Sequence, residues 1–150
     1  MKRIYDSILD LVGHTPLVRF KEVEKNWGAN AEIIGKLEFF NPGFSSKART
    51  AKNMIEQAEK DGSLKPGGTI IEGTSGNTGI GLALVAAAKG YKTIITMPAN
   101  MSPERIKIIR SYGGQVVLTD PEANMTGAGE KVAELAANTP NSFVPGQGKN

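Results

Sequence analysis

The sequence predicts an α/β fold, a three-layer αβα domain with a mainly parallel sheet, and two observations carry that prediction. Beyond residue 68, short apolar runs of strand character alternate with stretches whose apolar residues recur at helical spacing. The punctuation is regular: Gly62, Gly90 and Gly113 each stand just past a helical stretch, where a left-handed residue ends a helix. Strands that alternate with helices are joined by crossovers, so parallel strands, right-handed connections and helices on both faces are expected.

The elements follow in order. Asp6 or Ser7 is placed to cap a short helix through Ile8, Leu9, Leu11 and Val12 that stops at Gly13, and Thr15-Pro16 then forces an extended course. Residues 31–39 read as a strand. From Lys47 to Asp61, Ala48, Ala51, Ile55 and Ala58 share one face of an amphipathic helix, and Lys65-Pro66-Gly67-Gly68 is a turn. Next come a strand over 69–72, a helix over 77–89, a strand over 93–97, a helix over 103–112 and a strand over 115–119. Ser102-Pro103-Glu104 supplies a capping hydroxyl, a proline whose missing N–H is harmless, and an acid near the positive helix end. The Gly/Asn-rich patch at 124–129 reads as a loop entering a last helix that carries Val132, Leu135 and Ala136. Ser142-Phe143-Val144 adds one short strand, and residues 146–150 carry no closing element.

Composition narrows the function. The 150 residues are 39% apolar, enough for one core, and the net charge of +3 comes from lysines and arginines scattered along the chain. With no basic run and few aromatics, nucleic acid is not expected as a partner. The absence of cysteine excludes disulfides, thiolate metal sites and a cysteine nucleophile, and fits a reducing compartment, the cytoplasm. His14 is the single histidine, so no histidine-pair metal site or Ser-His-Asp relay can be assembled, and no metal is expected. The longest apolar run, Ile80 to Ala88, is interrupted by Gly81 and far too short to span a membrane.

Two motifs carry the chemistry. Lys47 closes the run Asn41-Pro42-Gly43-Phe44-Ser45-Ser46-Lys47, directly before a helix. A lysine there is most often a solvated charge. Nucleophilic lysine needs a free amine, however, and the positive end of a helix disfavours the protonated form, while glycine and serines allow close approach of a cofactor. The second motif is Gly73-Thr74-Ser75-Gly76-Asn77-Thr78-Gly79, between a strand and a helix. It is no nucleotide P-loop, because Ile80-Gly81 follows where Lys-Ser/Thr is required; it is a poor dinucleotide fingerprint, because Leu84 stands at the third glycine. Thr74, Ser75, Asn77 and Thr78 add side-chain donors to the backbone N–H groups of a helix start, which makes an anion cup the preferred reading. A plain turn with hydroxyl caps is the alternative. Arg105, Lys107 and Arg110 read as a solvated helix face.

With these residues laid out, the chain resembles the cysteine synthase (O-acetylserine sulfhydrylase) and cystathionine beta-synthase family, pyridoxal-phosphate enzymes of fold type II. The resemblance rests on Gly13-His14-Thr15-Pro16-Leu17, on 36–43 leading to Ser45-Ser46-Lys47, and on 65–72. It continues through Thr74-Ser75-Gly76-Asn77-Thr78-Gly79-Ile80-Gly81-Leu82-Ala83, Met97-Pro98, Met101-Ser102 and Gln147. It implies pyridoxal 5'-phosphate as cofactor, held covalently by Lys47, which also moves protons at the substrate α-carbon. Asn77 would bond the ring hydroxyl oxygen, and Thr74, Ser75, Gly76 and Thr78 would grip the amino-acid carboxylate with help from Gln147. The implied reaction is β-replacement: loss of acetate from O-acetylserine, then addition of sulfide to give cysteine. A serine-using cystathionine beta-synthase-like lyase shares the same motifs, and a noncatalytic binding or scaffold domain is a further alternative.

By the same resemblance, members run to about twice this length. Residues 1–44 would pack with a second half, 45–146 would form the αβα domain carrying the lysine and the loop, and 147–150 would be a truncated tail. The second half would supply the loop for the cofactor phosphate, so cofactor binding by this stretch is expected to be weak, and self-association is expected. Three positions depart from the family pattern: Phe44 replaces a small residue, Ala48 an aspartate and Gly148 a phenylalanine.

Overall fold

The computed structural model describes residues 4–148. The first part is irregular: a 3-10 turn at Ile8–Leu11, strand β1 (Leu17–Arg19), helix α1 (Lys21–Trp27), strand β2 (Ile34–Lys36) and a second 3-10 turn at Glu38–Phe40. β1 and β2 pair antiparallel as a ribbon of their own. The remainder alternates: α2 (Lys47–Asp61), β3 (Thr69–Gly73), α3 (Asn77–Lys89), β4 (Lys92–Pro98), α4 (Pro103–Ser111), β5 (Gln115–Thr119), α5 (Asn124–Asn138) and β6 (Ser142–Phe143). These four strands form one sheet in the order β5-β4-β3-β6, every pairing parallel, so the expected α/β architecture is present.

Three layers result. α3 and α4 cover one face, α5 covers the other, and α2 packs across α3. α3 is therefore enclosed between α2 and the sheet, which is why its residues from Thr78 to Ala86 are all buried and no polar stripe interrupts them. The core is built of Ile55 from α2, Ile70 and Ile71 from β3, Leu82 and Val85 from α3, Ile95 and Met97 from β4, and Ile109 from α4, each fully buried. Leu9 and Val12 join it from the N-terminal turn, and Lys52 Nζ donates to the Leu9 carbonyl oxygen at 3.0 Å. No helix among the described residues is long and apolar enough to cross a membrane.

Three local expectations are corrected. The strand read at 31–39 is confined to Ile34–Lys36, because Asn41 turns the chain back: its backbone N–H and Nδ2 both donate to the Glu38 carbonyl, and Nδ2 also reaches Glu38 Oε2 at 2.7 Å. The Gly/Asn-rich patch at 124–129 is helical, forming the first turns of α5. Its small residues let the helix lie close to the sheet, where fully buried Ala128 accepts a hydrogen bond from Thr96 Oγ1 at 2.8 Å, so packing overrides weak propensity. Ser102 does not cap α4; its hydroxyl donates to Glu104 instead. Helix α1 carries too little apolar periodicity to be read from sequence, and it buries no residue. Its end is fixed by tertiary contacts, with Gly28 in the left-handed region and the Glu24 carboxylate accepting from both Arg19 and the Ile33 N–H.

Candidate functional site

The loop after β3 leaves the sheet at the carboxyl end of the strand, where parallel α/β sheets bind ligands. The Thr74 N–H donates to the Thr96 carbonyl at 3.0 Å, which ties the loop root to β4. Gly76 then turns the chain with φ 154° and ψ −73°, and α3 begins at Asn77 without a side-chain cap. The Gly76 N–H donates to Thr74 Oγ1 at 3.2 Å, whereas among the described residues the backbone N–H groups of Asn77, Thr78 and Gly79 find no protein acceptor. Open N–H groups at a helix start attract anions.

Lys47 reaches the same place from α2. Ser45 Oγ accepts its backbone N–H at 3.2 Å and begins the helix, while Ser46 makes no cap bond. The approach of α2 to α3 depends on Gly81, whose added Cβ would lie 2.7 Å from the Lys47 carbonyl oxygen; Gly79 serves the other side of α3, where an added Cβ would lie 2.9 Å from Thr74 Cγ2 and 3.1 Å from Ile95 Cγ2. The Gly79-x-Gly81 pair thus serves helix packing, not dinucleotide binding. Lys47 is half-buried, and its Nζ has no hydrogen-bond or ion-pair partner among the described residues.

A polar cleft of about 230 Å³ is lined by Lys47, Thr74, Ser75, Asn77, Thr78, Arg105 and Gln147. Six of these were singled out from sequence, and they come from segments up to 100 positions apart. Gly76 lies behind the cleft wall, buried beneath the side chain of Arg105, whose Cδ would stand 2.2 Å from an added Cβ. Gln147 is drawn in by Thr78, whose Oγ1 donates to Gln147 Oε1 at 2.9 Å across 69 residues of sequence. Arg105 was read as part of a solvated face. No single-sequence signal distinguishes it from Lys107 and Arg110; only the docking of α4 beside the loop brings it to the cleft.

Behind the site lies Glu72, a buried carboxylate on β3 whose Oε2 accepts the Gln147 N–H at 3.3 Å. Burial pushes its pKa above the ordinary carboxylate range, and hydrogen bonds from the backbone N–H groups of Gln147, Gly146 and Gly73 act against that push. A mainly apolar hollow of about 500 Å³, lined by Met125, Val132, Val144 and Gly148 among others, adjoins it, so Gly148 leaves open space there. Of the other two departures, Ala48 is fully buried, and Phe44 is 62% exposed at φ 59° and does not line the cleft. A side chain in the left-handed region costs roughly 1–2 kcal/mol where glycine costs nothing.

A parallel αβα sheet with a lysine and an anion-receiving loop converging at its carboxyl end defines a candidate site for carbonyl-reactive cofactor chemistry. Residues 8–150 match the family described as pyridoxal-phosphate dependent enzyme, and the chain belongs to that family. It is 51% identical over 150 residues to a Bacillus subtilis protein named as a probable cysteine synthase, covering 100% of this chain and 48% of that protein. It is 46% identical over 151 residues to the cystathionine beta-synthase of Mus musculus, covering 99% of this chain and 27% of that protein. Among solved structures, cysteine synthase from Entamoeba histolytica superposes with a TM-score of 0.91 at 44% identity, over 97% of this chain and 44% of that one. The fold is that of the fold type II pyridoxal-phosphate enzymes. The chain spans about half the length of the cysteine synthases it matches.

Proposed function

We propose that this chain carries the lysine-bearing half of a pyridoxal-phosphate-dependent β-replacement enzyme that forms L-cysteine from O-acetylserine and sulfide. The observation that carries the reading is the convergence of a Lys47 amine without a partner among the described residues with Thr74, Ser75, Asn77, Thr78 and Gln147 around one cleft. The donor set fits the cofactor: a primary amine for its aldehyde, and hydroxyl and amide donors for oxygen atoms. When bound, pyridoxal phosphate supplies an electron sink that stabilises negative charge at the substrate α-carbon. Lys47 would hold the cofactor through its aldehyde and would take up or return the proton at the substrate α-carbon. Asn77 would hold the cofactor's ring oxygen. Thr74, Ser75, Thr78 and Gln147 would hold the substrate carboxylate at the open start of α3, with Gly76 shaping the loop behind them, and would thereby fix which face of the α-carbon meets Lys47.

Residues 17–44 leave Leu17, Trp27, Ile34, Phe39 and Phe40 exposed, Trp27 by 83%, which supports the reading that residues 1–44 pack against a further body, a second half or a second copy. The sequence holds no second glycine-rich loop for the cofactor phosphate, so affinity within this stretch is weak. The lack of cysteine supports a cytoplasmic setting. Similarity to cystathionine beta-synthase favours one second reading, in which serine replaces O-acetylserine.

Titrating the chain with pyridoxal phosphate tests the proposal. A visible absorbance band is expected that is missing in Lys47→Ala and shifts on addition of O-acetylserine; a shift with serine instead selects the second reading. No band at saturating cofactor sinks both.

A further inference from the structure

We propose that Arg105 is a positioning residue for the anion cup, holding the Ser75–Gly76 peptide so that its carbonyl stays out of the cleft and the N–H groups at the start of α3 stay open. The inference rests on the reading of that cup as a carboxylate site and adds a residue to it. Arg105 sits in the first turn of α4, and its Nη1 donates to the Ser75 carbonyl oxygen at 3.0 Å. On the other end of the same peptide unit, the Gly76 N–H donates to Thr74 Oγ1 at 3.2 Å. One peptide plane is therefore gripped from both sides by side chains of two different elements.

The grip matters because of what the Ser75 carbonyl would otherwise do. In a helix extended by one turn, the Gly79 N–H would donate to the carbonyl four residues earlier, which is that of Ser75. Here the Ser75 carbonyl is turned to Arg105, and the Gly79 N–H has no protein acceptor among the described residues. A carbonyl oxygen swung toward the helix start would consume a donor and present a lone pair to an incoming carboxylate. Arg105 removes both effects with one hydrogen bond. Gly76 is required for the same reason, since the arginine side chain passes where a Cβ would stand, 2.2 Å from Cδ and 2.8 Å from Nε. Arg105 also lines the cleft, and its guanidinium has no other protein acceptor among the described residues, so it places a cationic group on the cleft wall beside the loop.

The test uses the full chain, labelled with nitrogen-15 and free of cofactor, titrated with sodium acetate against chloride at constant ionic strength. Amide resonances of Gly76, Asn77, Thr78 and Gly79 report binding. Acetate is expected to bind the native chain saturably and to lose that binding in Thr78→Val. In Arg105→Gln, acetate affinity falls roughly tenfold or more, as for a lost hydrogen bond to a charged group, and the Gly76 resonance moves before any acetate is added. Arg105→Lys, which retains one donor to the Ser75 carbonyl, restores part of both. Should Arg105→Gln fail to fold by circular dichroism, the lysine variant decides alone, by intermediate affinity together with a displaced Gly76 resonance. The inference is overturned if acetate binds Arg105→Gln within twofold of the native chain, or if Arg105→Lys has native affinity with the Gly76 resonance unmoved. Absence of acetate binding to the native chain overturns the carboxylate reading of the cup, and this inference with it.

Discussion

Gly81→Ala probes the contact that holds Lys47 in place. A new Cβ would stand 2.7 Å from the Lys47 carbonyl oxygen, 3.0 Å from its carbonyl carbon and 3.1 Å from Ala51 Cβ. Ordinary contact begins near 3.5 Å, so α2 must retreat by roughly 0.5–1 Å at its first turn. No rotamer change relieves the contact, because two of the three atoms are backbone and the third is a fixed methyl. Overpacking of this kind costs about 1–3 kcal/mol. Against it stands the gain of replacing a mid-helix glycine, about 1 kcal/mol. Gly129→Ala in α5 isolates the clash, because that position gains the same helix propensity and has nothing within 4 Å of its Cβ. Gly129→Ala should therefore stabilise by roughly 0.5–1 kcal/mol, and Gly81→Ala should fall below it by about 1–3 kcal/mol. Urea unfolding of both variants reads the difference directly. A gap under about 0.5 kcal/mol would refute the claim that glycine is there for close approach of the two helices.

Two further perturbations test the scaffold. Asn41 is 1% exposed and accepts the Gly13 N–H at 2.8 Å while donating to Glu38, so Asn41→Ala should cost about 2–3 kcal/mol in urea unfolding and loosen the N-terminal turn; a cost below about 0.5 kcal/mol rejects that anchoring. Glu72 has a folded-state pKa above its unfolded value, so its favourable contribution is complete below about pH 4.3 and is lost as pH rises through the raised value. The stability of Glu72→Gln relative to the native chain should then increase from pH 4 toward pH 7, a trend in which the opposite slopes of Glu38 and Glu59 cancel because both proteins share them. In Glu38, burial pushes the carboxyl up, but hydrogen bonds from Arg49 and Asn41 hold it below the ordinary value; in Glu59, Lys89 and Tyr91 overcome burial in the same way. A flat difference across that range would contradict the assignment.

The alternating half of the chain was legible in the sequence because its signals are local. Helices α2 and α3 run from Lys47 to Asp61 and from Asn77 to Lys89 as read, since apolar spacing and a following glycine fix each end. The same locality made Lys47 and the Thr-Ser-Gly-Asn-Thr loop conspicuous before any geometry was known. Where the pattern was weak, the reading failed: α5 begins with Asn, Thr and Gly, poor helix formers that only its contact with β3 and β4 makes helical. Residues 31–39 looked extended, yet side-chain bonds from Asn41 to Glu38 end the strand early.

Sequence alone determined the order of elements from α2 onward, the parallel α/β class and, with Gln147 implied by the family resemblance, six of the seven residues that line the cleft, because backbone preference, hydrophobic period and short motifs are properties of neighbouring positions. Tertiary structure decided the rest. It brought Gln147 to Thr78, set Arg105 across Gly76 while leaving Lys107 and Arg110 aside, and buried Glu72 behind the loop. Those outcomes depend on how α4 and the stretch after β6 dock on the sheet, and contacts between distant segments leave no periodic trace in a single chain.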